Sequence, residues 1–103
     1  MKEQQLYKQI IDYLNSCGFF VWRASVGRRG KYRHGKPGQG DIIGVTPNGK
    51  HIEIECKKPE GKLSAVQIEH KGEVEKRKGL YLVVDSFKEI IDLITFRPDV
   101  FLY

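Results

Sequence analysis

Glu55 and Lys57 are separated by one residue in the run from His51 to Lys57, where polar and apolar side chains alternate. In a β-strand alternate residues point to the same face, so the apolar residues of this run would face a core while Glu55 and Lys57 share the opposite face. With a second carboxylate from Asp41 on the preceding stretch, such a face offers oxygen ligands for a hard divalent cation and a positive charge near a phosphate. This combination is typical of metal-dependent phosphodiester hydrolysis.

Asp41 and Glu55 are the candidate metal ligands. Asp41 opens the apolar segment 41–46, and the turn residues at 47–50 lead directly into the run at 51–57. The two segments are predicted to form an antiparallel hairpin with strands about 5 Å apart, so that both carboxylates meet at one end of the sheet. Like charges opposed across strands are destabilising without a positive group between them. The alternative is a solvated sheet edge on which charged residues serve solubility.

Lys57 has two candidate roles at such a site. It either holds the attacking water or neutralises charge that grows on the phosphate, and the electrostatic role is favoured because an exposed lysine is protonated near neutral pH. The alternative is a surface lysine paired with Glu53 or Glu55. Lys58 would point to the opposite face if the strand continued, which makes it the weaker candidate.

Gln67 lies three residues after Ser64, the spacing of a capping box at the start of a helix. Capping explains the pair without any further function. The predicted helix begins just after the strand that carries Glu55 and Lys57, so Gln67 in its first turn would also reach the same site.

The segment from Gly27 to Gly40 is rich in glycine and strongly basic, and no acidic residue occurs between Asp12 and Asp41. The cationic residues in that window are Arg23, Arg28, Arg29, Lys31, Arg33 and Lys36. Binding a nucleic-acid backbone needs many cations and freedom to adapt, so the segment is predicted to be an irregular, mobile loop that contacts phosphates. Tyr32 and His34 would add stacking on an unpaired base. A solvated loop without a ligand is the alternative.

Several other chemistries find no support in the chain. It lacks the G-x-x-x-x-G-K-[S/T] pattern of a nucleotide-binding loop, its histidines have no zinc-hydrolase spacing, and no serine lies in a nucleophile elbow. Cys17 and Cys56 have no metal-site spacing and are predicted to be buried thiols. Because no apolar stretch would span a bilayer and the start of the chain lacks the apolar core of a signal peptide, we expect no membrane partner and a cytoplasmic location.

Length, composition and element pattern predict one domain over residues 1–103, of the α/β (α+β) class. The chain is 40% hydrophobic and 30% charged, which is typical of a soluble globular protein. Its formal net charge of +5 suggests a polyanionic partner, although such an excess is also common in proteins that never bind nucleic acid. The predicted elements are a helix at 3–17, strands at 19–22, 41–46 and 51–57, a helix at 64–78 closed by Gly79, a strand at 80–84 and a helix from 86 that ends before Pro98. Helices would flank a small mixed sheet, with the strand at 80–84 covered on both faces.

The chain resembles the PD-(D/E)xK nuclease superfamily and, within it, the small stand-alone VRR-NUC domains of phages and bacteria. The resemblance covers nearly the whole chain, from the leading helix onward. It rests on an ordered set of segments: Trp22-Arg23, 38–44 (GQGDIIG), Glu55-Cys56-Lys57, 63–67 (LSAVQ) and the strand at 80–84. The fold that it implies is a restriction-endonuclease-like αβββαβ core, with a mixed sheet flanked by helices.

By this resemblance Asp41 and Glu55 bind Mg²⁺ or Mn²⁺, and the backbone carbonyl of Cys56 is a further ligand. Lys57 is then the catalytic lysine, and Gln67 supports the site.

The resemblance also bears on Glu3 and Gly40. Glu3, on the first helix, would complete the metal shell, although an acidic residue is also favoured at a helix start for the dipole alone. Gly40 stands where a proline often precedes the metal-binding aspartate, a departure that concerns the shape of the turn and not the chemistry.

The implied activity is a metal-dependent endonuclease that hydrolyses phosphodiester bonds in branched DNA, at Holliday-like four-way junctions or flaps, without a nucleotide cofactor. Small members of the group resemble Holliday-junction resolvases, which work as two-fold dimers, and one chain offers one site whereas a junction takes two symmetric cuts. Either residues 101–103 or the apolar face of the last helix would form the homodimer interface. Two alternatives stay open: a protein of this fold that binds branched nucleic acid without cutting, and a nuclease that acts on RNA or on ends.

Overall fold

The elements of the fold follow the predicted order, with a two-stranded ribbon added after the first strand. The computed structural model describes residues 3–24, 27–29, 32–34 and 36–103. In chain order these contain α1 (Glu3–Ser16), β1 (Phe20–Arg23), β2 (Gly27–Arg29), β3 (Tyr32–His34), β4 (Ile42–Val45), β5 (His51–Cys56), α2 (Ala65–Lys76), β6 (Leu80–Val84), α3 (Phe87–Phe96) and α4 (Pro98–Phe101).

The central sheet has four strands in the order β1-β4-β5-β6. β4 pairs antiparallel with both β1 and β5, whereas β5 and β6 are parallel. Parallel neighbours need a long crossover, and here it contains α2. The sheet is therefore mixed and flanked by helices, which confirms the predicted α+β class and the αβββαβ order of the core.

One face of the sheet carries the apolar core. Ile42, Ile52 and Ile54 point to this face and are at most 1% exposed, in one cluster with Ile10 of α1 and Ile90 of α3. Their spacing of two along the strands, and the helical spacing of their partners, brings all of them to one side. Burial of this apolar surface is the main source of stability.

The opposite face of the sheet, called the α2 face below, is polar where α2 lies over it. Register places Glu53 of β5 beside Ile43 of β4 and Tyr81 of β6 on this face. Glu53 and Glu55 are only 2% and 6% exposed. The alternation of faces predicted for this strand is confirmed, but Glu53 and Glu55 are buried and do not lie on a solvated edge.

The prediction of an irregular loop at 27–40 is wrong at 27–29 and 32–34. These residues pair as an antiparallel ribbon, with Arg28 opposite Arg33 in the backbone register. The glycines lie mostly between and beside the short strands, which leaves non-glycine residues at their centres. Residues 25–26, 30–31 and 35 lie outside the described part of the chain. The predicted mobility of the segment therefore stays a prediction.

The apolar run at 80–84 predicts a strand that is covered on both faces, and this prediction is wrong. β6 is an edge strand of the sheet. On the α2 face His70 packs against Tyr81, with ring centroids 6.0 Å apart, whereas Val83 is 40% exposed. Coverage by α2 therefore ends between these two residues.

The second helix ends two residues before its predicted end at Lys78, whereas the last predicted helix ends before Pro98 as expected. α2 ends at Lys76 in a Schellman motif, in which the N–H groups of Lys78 and Gly79 donate to Glu75 and Val74, each at 3.0 Å. Lys78, and not Gly79, has the positive φ of 69°. α3 does end before Pro98, but Pro98 then opens α4, because proline suits the first position of a helix.

Among the described residues, no helix has the length and apolar character needed to cross a membrane. Cys17 and Cys56 are half-buried and are not joined by a disulfide.

Candidate functional site

Asp41 and Glu55 lie side by side on the α2 face. Ile42 at the start of β4 pairs with Ile54, so continuation of the register places Asp41 opposite Glu55. The backbone N–H of Cys56 donates to Oδ2 of Asp41 at 2.9 Å, which fixes the aspartate against the end of β5. The predicted meeting of the two carboxylates at one end of the hairpin is what the structure contains.

Glu55 is the more buried carboxylate and is held by two side chains. Nε2 of Gln67 donates to its Oε1 at 2.9 Å, and Nζ of Lys57 lies 3.6 Å from the same oxygen. Burial and the negative charge of Asp41 raise the pKa of Glu55, and the hydrogen bonds and the lysine only partly oppose them. A cation between the carboxylates would relieve this repulsion.

Gln67 caps a helix and contacts the site at the same time. Its backbone N–H donates to Oγ of Ser64 at 3.2 Å, and its Oε1 accepts from the backbone N–H of Ser64 at 2.9 Å, which completes the predicted capping box. Because Oε1 is engaged by the cap, the amide group presents Nε2 to Glu55. The two interpretations of Gln67 are therefore compatible.

Lys57 follows the last residue of β5 and remains anchored by its backbone. Its N–H donates to the carbonyl of Val84 at 2.9 Å, while its side chain is 29% exposed. Within the described part of the chain the ammonium group pairs with Glu55, and the side chain lines a cleft beside the two carboxylates. Lys58 is exposed and is not among the residues that line this cleft.

Arg23 is tied to the aspartate more closely than its grouping with the basic loop predicts. Its Nη1 donates to the carbonyl of Asp41 at 2.7 Å and lies 3.8 Å from Oδ1 of that residue. The guanidinium also stacks on Tyr7, 3.9 Å from the ring centroid. Arg23 is thus a fixed positive charge beside Asp41.

These side chains share a cleft of about 470 Å³. Its lining consists of Arg23, Ala24, Gly38, Gln39, Asp41, Glu55, Lys57, Ser64, Val66 and Gln67. A larger cavity of about 970 Å³ lies next to it and shares Gln39 and Val66. The larger cavity lacks Asp41, Glu55 and Lys57, so the residues suited to phosphodiester chemistry belong to the smaller one.

The donor set fits a hard divalent cation and not a closed zinc site. In the ranges that the structure describes, no group of three or more His, Cys, Asp or Glu side chains is arranged to hold a metal. Mg²⁺ is usually held by one or two carboxylates together with phosphate oxygens and water, which the pair Asp41 and Glu55 would satisfy. The N–H and C=O of a strand residue point to the same side, so the carbonyl of Cys56 is directed toward the Asp41 side as well.

Other predicted site residues lie away from this cleft or outside the description. Glu3 is the first residue of α1, and nothing is described of its side chain or of those of Arg28, Arg29 and Arg33 in the ribbon; Lys31 lies outside the described residues. Lys36 is exposed and lines the larger cavity. Their predicted roles stay predictions.

The sequence reasoning missed a second polar cluster on the α2 face, formed by His51, Glu53 and His70. Nε2 of His51 and Nε2 of His70 lie 2.7 and 2.8 Å from the Glu53 carboxylate. One signal was present, since His70 follows Gln67 by three residues and the two therefore share a face of α2.

The comparisons with known proteins bear on the fold. No family model matches the chain, and no curated protein matches it. A solved structure described as a "VRR_NUC domain" superposes with a TM-score of 0.69 at 23% sequence identity, over 90% of this chain and 94% of that chain. The protein therefore has the fold of a VRR_NUC domain, as the resemblance of its motifs implied.

Proposed function

We propose that this protein is a Mg²⁺- or Mn²⁺-dependent endonuclease that hydrolyses phosphodiester bonds in branched DNA, such as four-way junctions or flaps. The observation that carries the proposal is the convergence of Asp41, Glu55 and Lys57 in one cleft. The family that the motifs resemble, and whose fold the chain has, supports the same chemistry.

Each residue of the cleft has a part in this chemistry. A bound divalent cation would supply Lewis-acid polarisation of the phosphate. Asp41 and Glu55 would hold it, with the Cys56 carbonyl as a further oxygen. Lys57 places a positive charge where charge grows on the phosphate, and Gln67 keeps Glu55 in one orientation.

The basic segment before Asp41 supports a nucleic-acid substrate. Its ribbon carries Arg28, Arg29 and Arg33, and the whole chain has a formal net charge of +5. Phosphate contacts dominate affinity for DNA and make it depend on salt. Arg23 would extend this positive surface to the cleft.

Cleavage of labelled four-way junction, flap, linear duplex and single-stranded DNA tests the enzymatic proposal, in Mg²⁺, Mn²⁺ or EDTA. We expect junctions or flaps to be cut fastest and only with metal. Lys57→Ala should be slower by about 100-fold or more, because one lost electrostatic donor typically costs that much. Lys58→Ala, which removes the same charge one residue away, should cut as fast as the wild type.

Three outcomes would contradict parts of this proposal. Tight binding of junctions without any cutting would identify a binding protein of this fold. Faster cutting of RNA or of DNA ends would replace the substrate class. Equal rates for Lys57→Ala and Lys58→Ala would remove Lys57 from the mechanism.

The role of the ribbon is tested by the salt dependence of binding. Replacement of Arg28, Arg29, Lys31 and Arg33 by alanine should weaken DNA binding in EDTA and reduce the slope of log affinity against log salt by about 0.9 for each lost contact. A control that replaces Lys8, Lys71, Lys76 and Lys88 removes the same charge from the helices. Equal effects of the two sets in a fluorescence anisotropy titration would mean that only net charge matters.

A dimer of two-fold symmetry would give the two sites that symmetric junction cleavage requires. At the two predicted interfaces Phe101, Ile90 and Ile94 are buried in the core, and the strongly exposed aromatic residues are Tyr103 at 86% and Phe96 at 74%. The α2 face instead has an apolar area beyond α2, where Phe20 and Trp22 are 70% and 46% exposed with ring centroids 5.2 Å apart. Val45, opposite Phe20, extends this patch, and exposed apolar patches commonly mark interfaces. A second copy of the chain is the proposed occupant.

Light scattering of the wild type should give the mass of a dimer, and Trp22→Asp should give that of a monomer. Phe96→Asp, a matched change at an exposed aromatic residue on α3, should remain dimeric. A monomeric wild type bound to DNA, or a dimer that survives Trp22→Asp, would overturn the assignment of this surface.

A further inference from the structure

Glu53 is a buried carboxylate that the proposed chemistry does not use. It is 2% exposed, yet both of its oxygens are fully engaged. Oε1 accepts from the backbone N–H of Gly40 and from Nε2 of His70, both at 2.8 Å. Oε2 lies 2.7 Å from Nε2 of His51 and 3.0 Å from that of His70. Burial of a carboxylate costs free energy unless hydrogen bonds satisfy it, and Gly40, His51 and His70 supply those bonds here.

What Glu53 orders is the turn that ends at Asp41. Its partner Gly40 immediately precedes that aspartate in the chain. The same turn is held a second time, because the hydroxyl of Tyr81 donates to the carbonyl of Gly38 at 3.1 Å. Both anchors come from strands of the central sheet, and His70 connects them to α2.

The two glycines of the turn allow it to fit between the sheet and α2. A Cβ on Gly38 would lie 2.5 Å from the carbonyl oxygen of Val66, and the φ of Gly38 is +84°. A Cβ on Gly40 would lie 3.0 Å from the backbone of Ile54 in β5. Glycine is therefore required at Gly38 and favoured at Gly40, where the backbone approaches its neighbours closely.

We propose that Glu53, oriented by His70, is a positioning residue that sets the place of the Asp41 carboxylate. This inference rests on the proposed function, in which Asp41 is a metal ligand. A proline at position 40 would fix the turn by its ring but would offer no N–H. In this chain a glycine occupies the position and the buried carboxylate fixes it through a hydrogen bond. Removal of a group that hydrogen-bonds to a metal ligand and orients it typically lowers metal affinity 10- to 100-fold.

Mn²⁺ binding without DNA gives the first measurement. Glu53→Leu, an apolar replacement of similar size, should weaken Mn²⁺ binding in a calorimetric titration by about 10-fold or more. Glu53→Gln keeps an oxygen for Gly40 and should recover most of the affinity. Glu69→Leu, at an exposed glutamate that lines the same larger cavity, should bind Mn²⁺ as the wild type does.

The amide signal of Cys56 gives a second measurement that needs no metal. This N–H donates to Oδ2 of Asp41, so its ¹H chemical shift and its hydrogen exchange report where the aspartate lies. Asp41→Ala sets the signal of the unbonded amide. Glu53→Leu should move the Cys56 signal toward that reference, whereas Glu53→Gln should leave it near the wild type.

The two measurements separate failure of the inference from failure of the proposed function. A folded Glu53→Leu with an unchanged Cys56 amide and unchanged Mn²⁺ affinity overturns the positioning role. If the wild type binds no Mn²⁺, the metal proposal fails, and the Cys56 amide alone decides the positioning role. If Glu53→Leu does not fold, His70→Leu takes its place: a Cys56 signal shifted part of the way supports the inference, and a wild-type signal overturns it.

Discussion

The two faces of the central sheet are built on opposite principles. On the core face, side chains such as Ile10, Ile42 and Ile54 are fully buried in one apolar cluster. On the α2 face the helix has no buried residue of its own, and it docks through Gln67 on Glu55 and through His70 on Glu53. One face is held by apolar burial and the other by directed hydrogen bonds.

This difference separates the interactions that stabilise the fold from those that position the carboxylates. Apolar burial contributes about 25 cal/mol per Å² and has little directional preference. A hydrogen bond contributes only about 1 kcal/mol net but fixes distance and angle. The core face therefore stabilises the fold, while the α2 face determines where the carboxylates lie.

Replacement of an isoleucine by alanine on each side tests most directly whether the core and α2 are packed differently. Ile54→Ala on the core face should lower the free energy of unfolding by about 2–5 kcal/mol, because it leaves a cavity in packed surroundings. Ile68→Ala on α2, where the isoleucine is 59% exposed, should change it by less than about 0.5 kcal/mol. Urea unfolding measures both. Similar losses would mean that α2 is packed as tightly as the core.

Glu55→Gln should separate activity from stability. We expect DNA cleavage to fall about 100-fold or more, because the neutral amide is a poor ligand for a hard cation. In EDTA the variant should melt at a higher temperature than the wild type. The sign follows from the raised pKa of Glu55, since the folded state disfavours the charged form of a group whose pKa it raises.

Added Mg²⁺ is expected to reverse that order of melting temperatures. Mg²⁺ should raise the melting temperature of the wild type by mass action and leave Glu55→Gln unchanged. An equal rise for both proteins would show that the cation binds elsewhere.

Ser64→Ala should loosen α2 without loosening α1. Loss of an N-cap costs about 1 kcal/mol, which corresponds to roughly fivefold faster amide hydrogen exchange by local opening. Because α2 has no buried residue, its amides should already exchange faster than those of α1 in the wild type. Ser86→Ala removes the equivalent cap of α3, whose Oγ accepts from the N–H of Glu89, and should leave α2 unaffected. Equal protection of α1 and α2 would contradict the comparison.

Lys78→Gly should give the smallest effect, a gain of about 0.5–1 kcal/mol. Lys78 has a φ of 69° in the Schellman motif that ends α2, and glycine adopts this conformation without the Cβ penalty. Lys76→Gly, two residues earlier and inside the helix, should instead cost about 1 kcal/mol. Thermal melts of the two variants should therefore shift in opposite directions.

The sequence predicted the parts of the fold that depend on local patterns. Alternation at 51–57 gave β5 and the side of the sheet on which Glu55 lies, and the Ser64–Gln67 spacing gave the start of α2 with its capping box. The turn at 47–50 gave the β4–β5 hairpin, in which Gly49 has a φ of +87°. These signals come from residues close together in sequence, so they can be identified without knowledge of tertiary contacts.

What the sequence could not predict depends on contacts between distant residues. Glu53 and His70 are 17 positions apart, and each alone is typical of a surface residue. Arg23 was assigned to the basic loop because its neighbours in sequence are basic, whereas its partner Asp41 lies 18 positions away. The β2–β3 ribbon was missed because its three-residue strands are too short to show a period.

Gln67 both caps α2 and contacts Glu55, which has a consequence for which residues would be retained in evolution without selection for cleavage. Its amide group would still be favoured, since the cap of α2 needs it whether or not a phosphate is ever cut. Lys57 has no comparable structural role, because its anchoring hydrogen bond comes from the backbone and, among the described residues, its side chain has Glu55 as its ion-pair partner. Among natural relatives that do not cleave DNA, we therefore expect Lys57 to be replaced early and Gln67 to be retained.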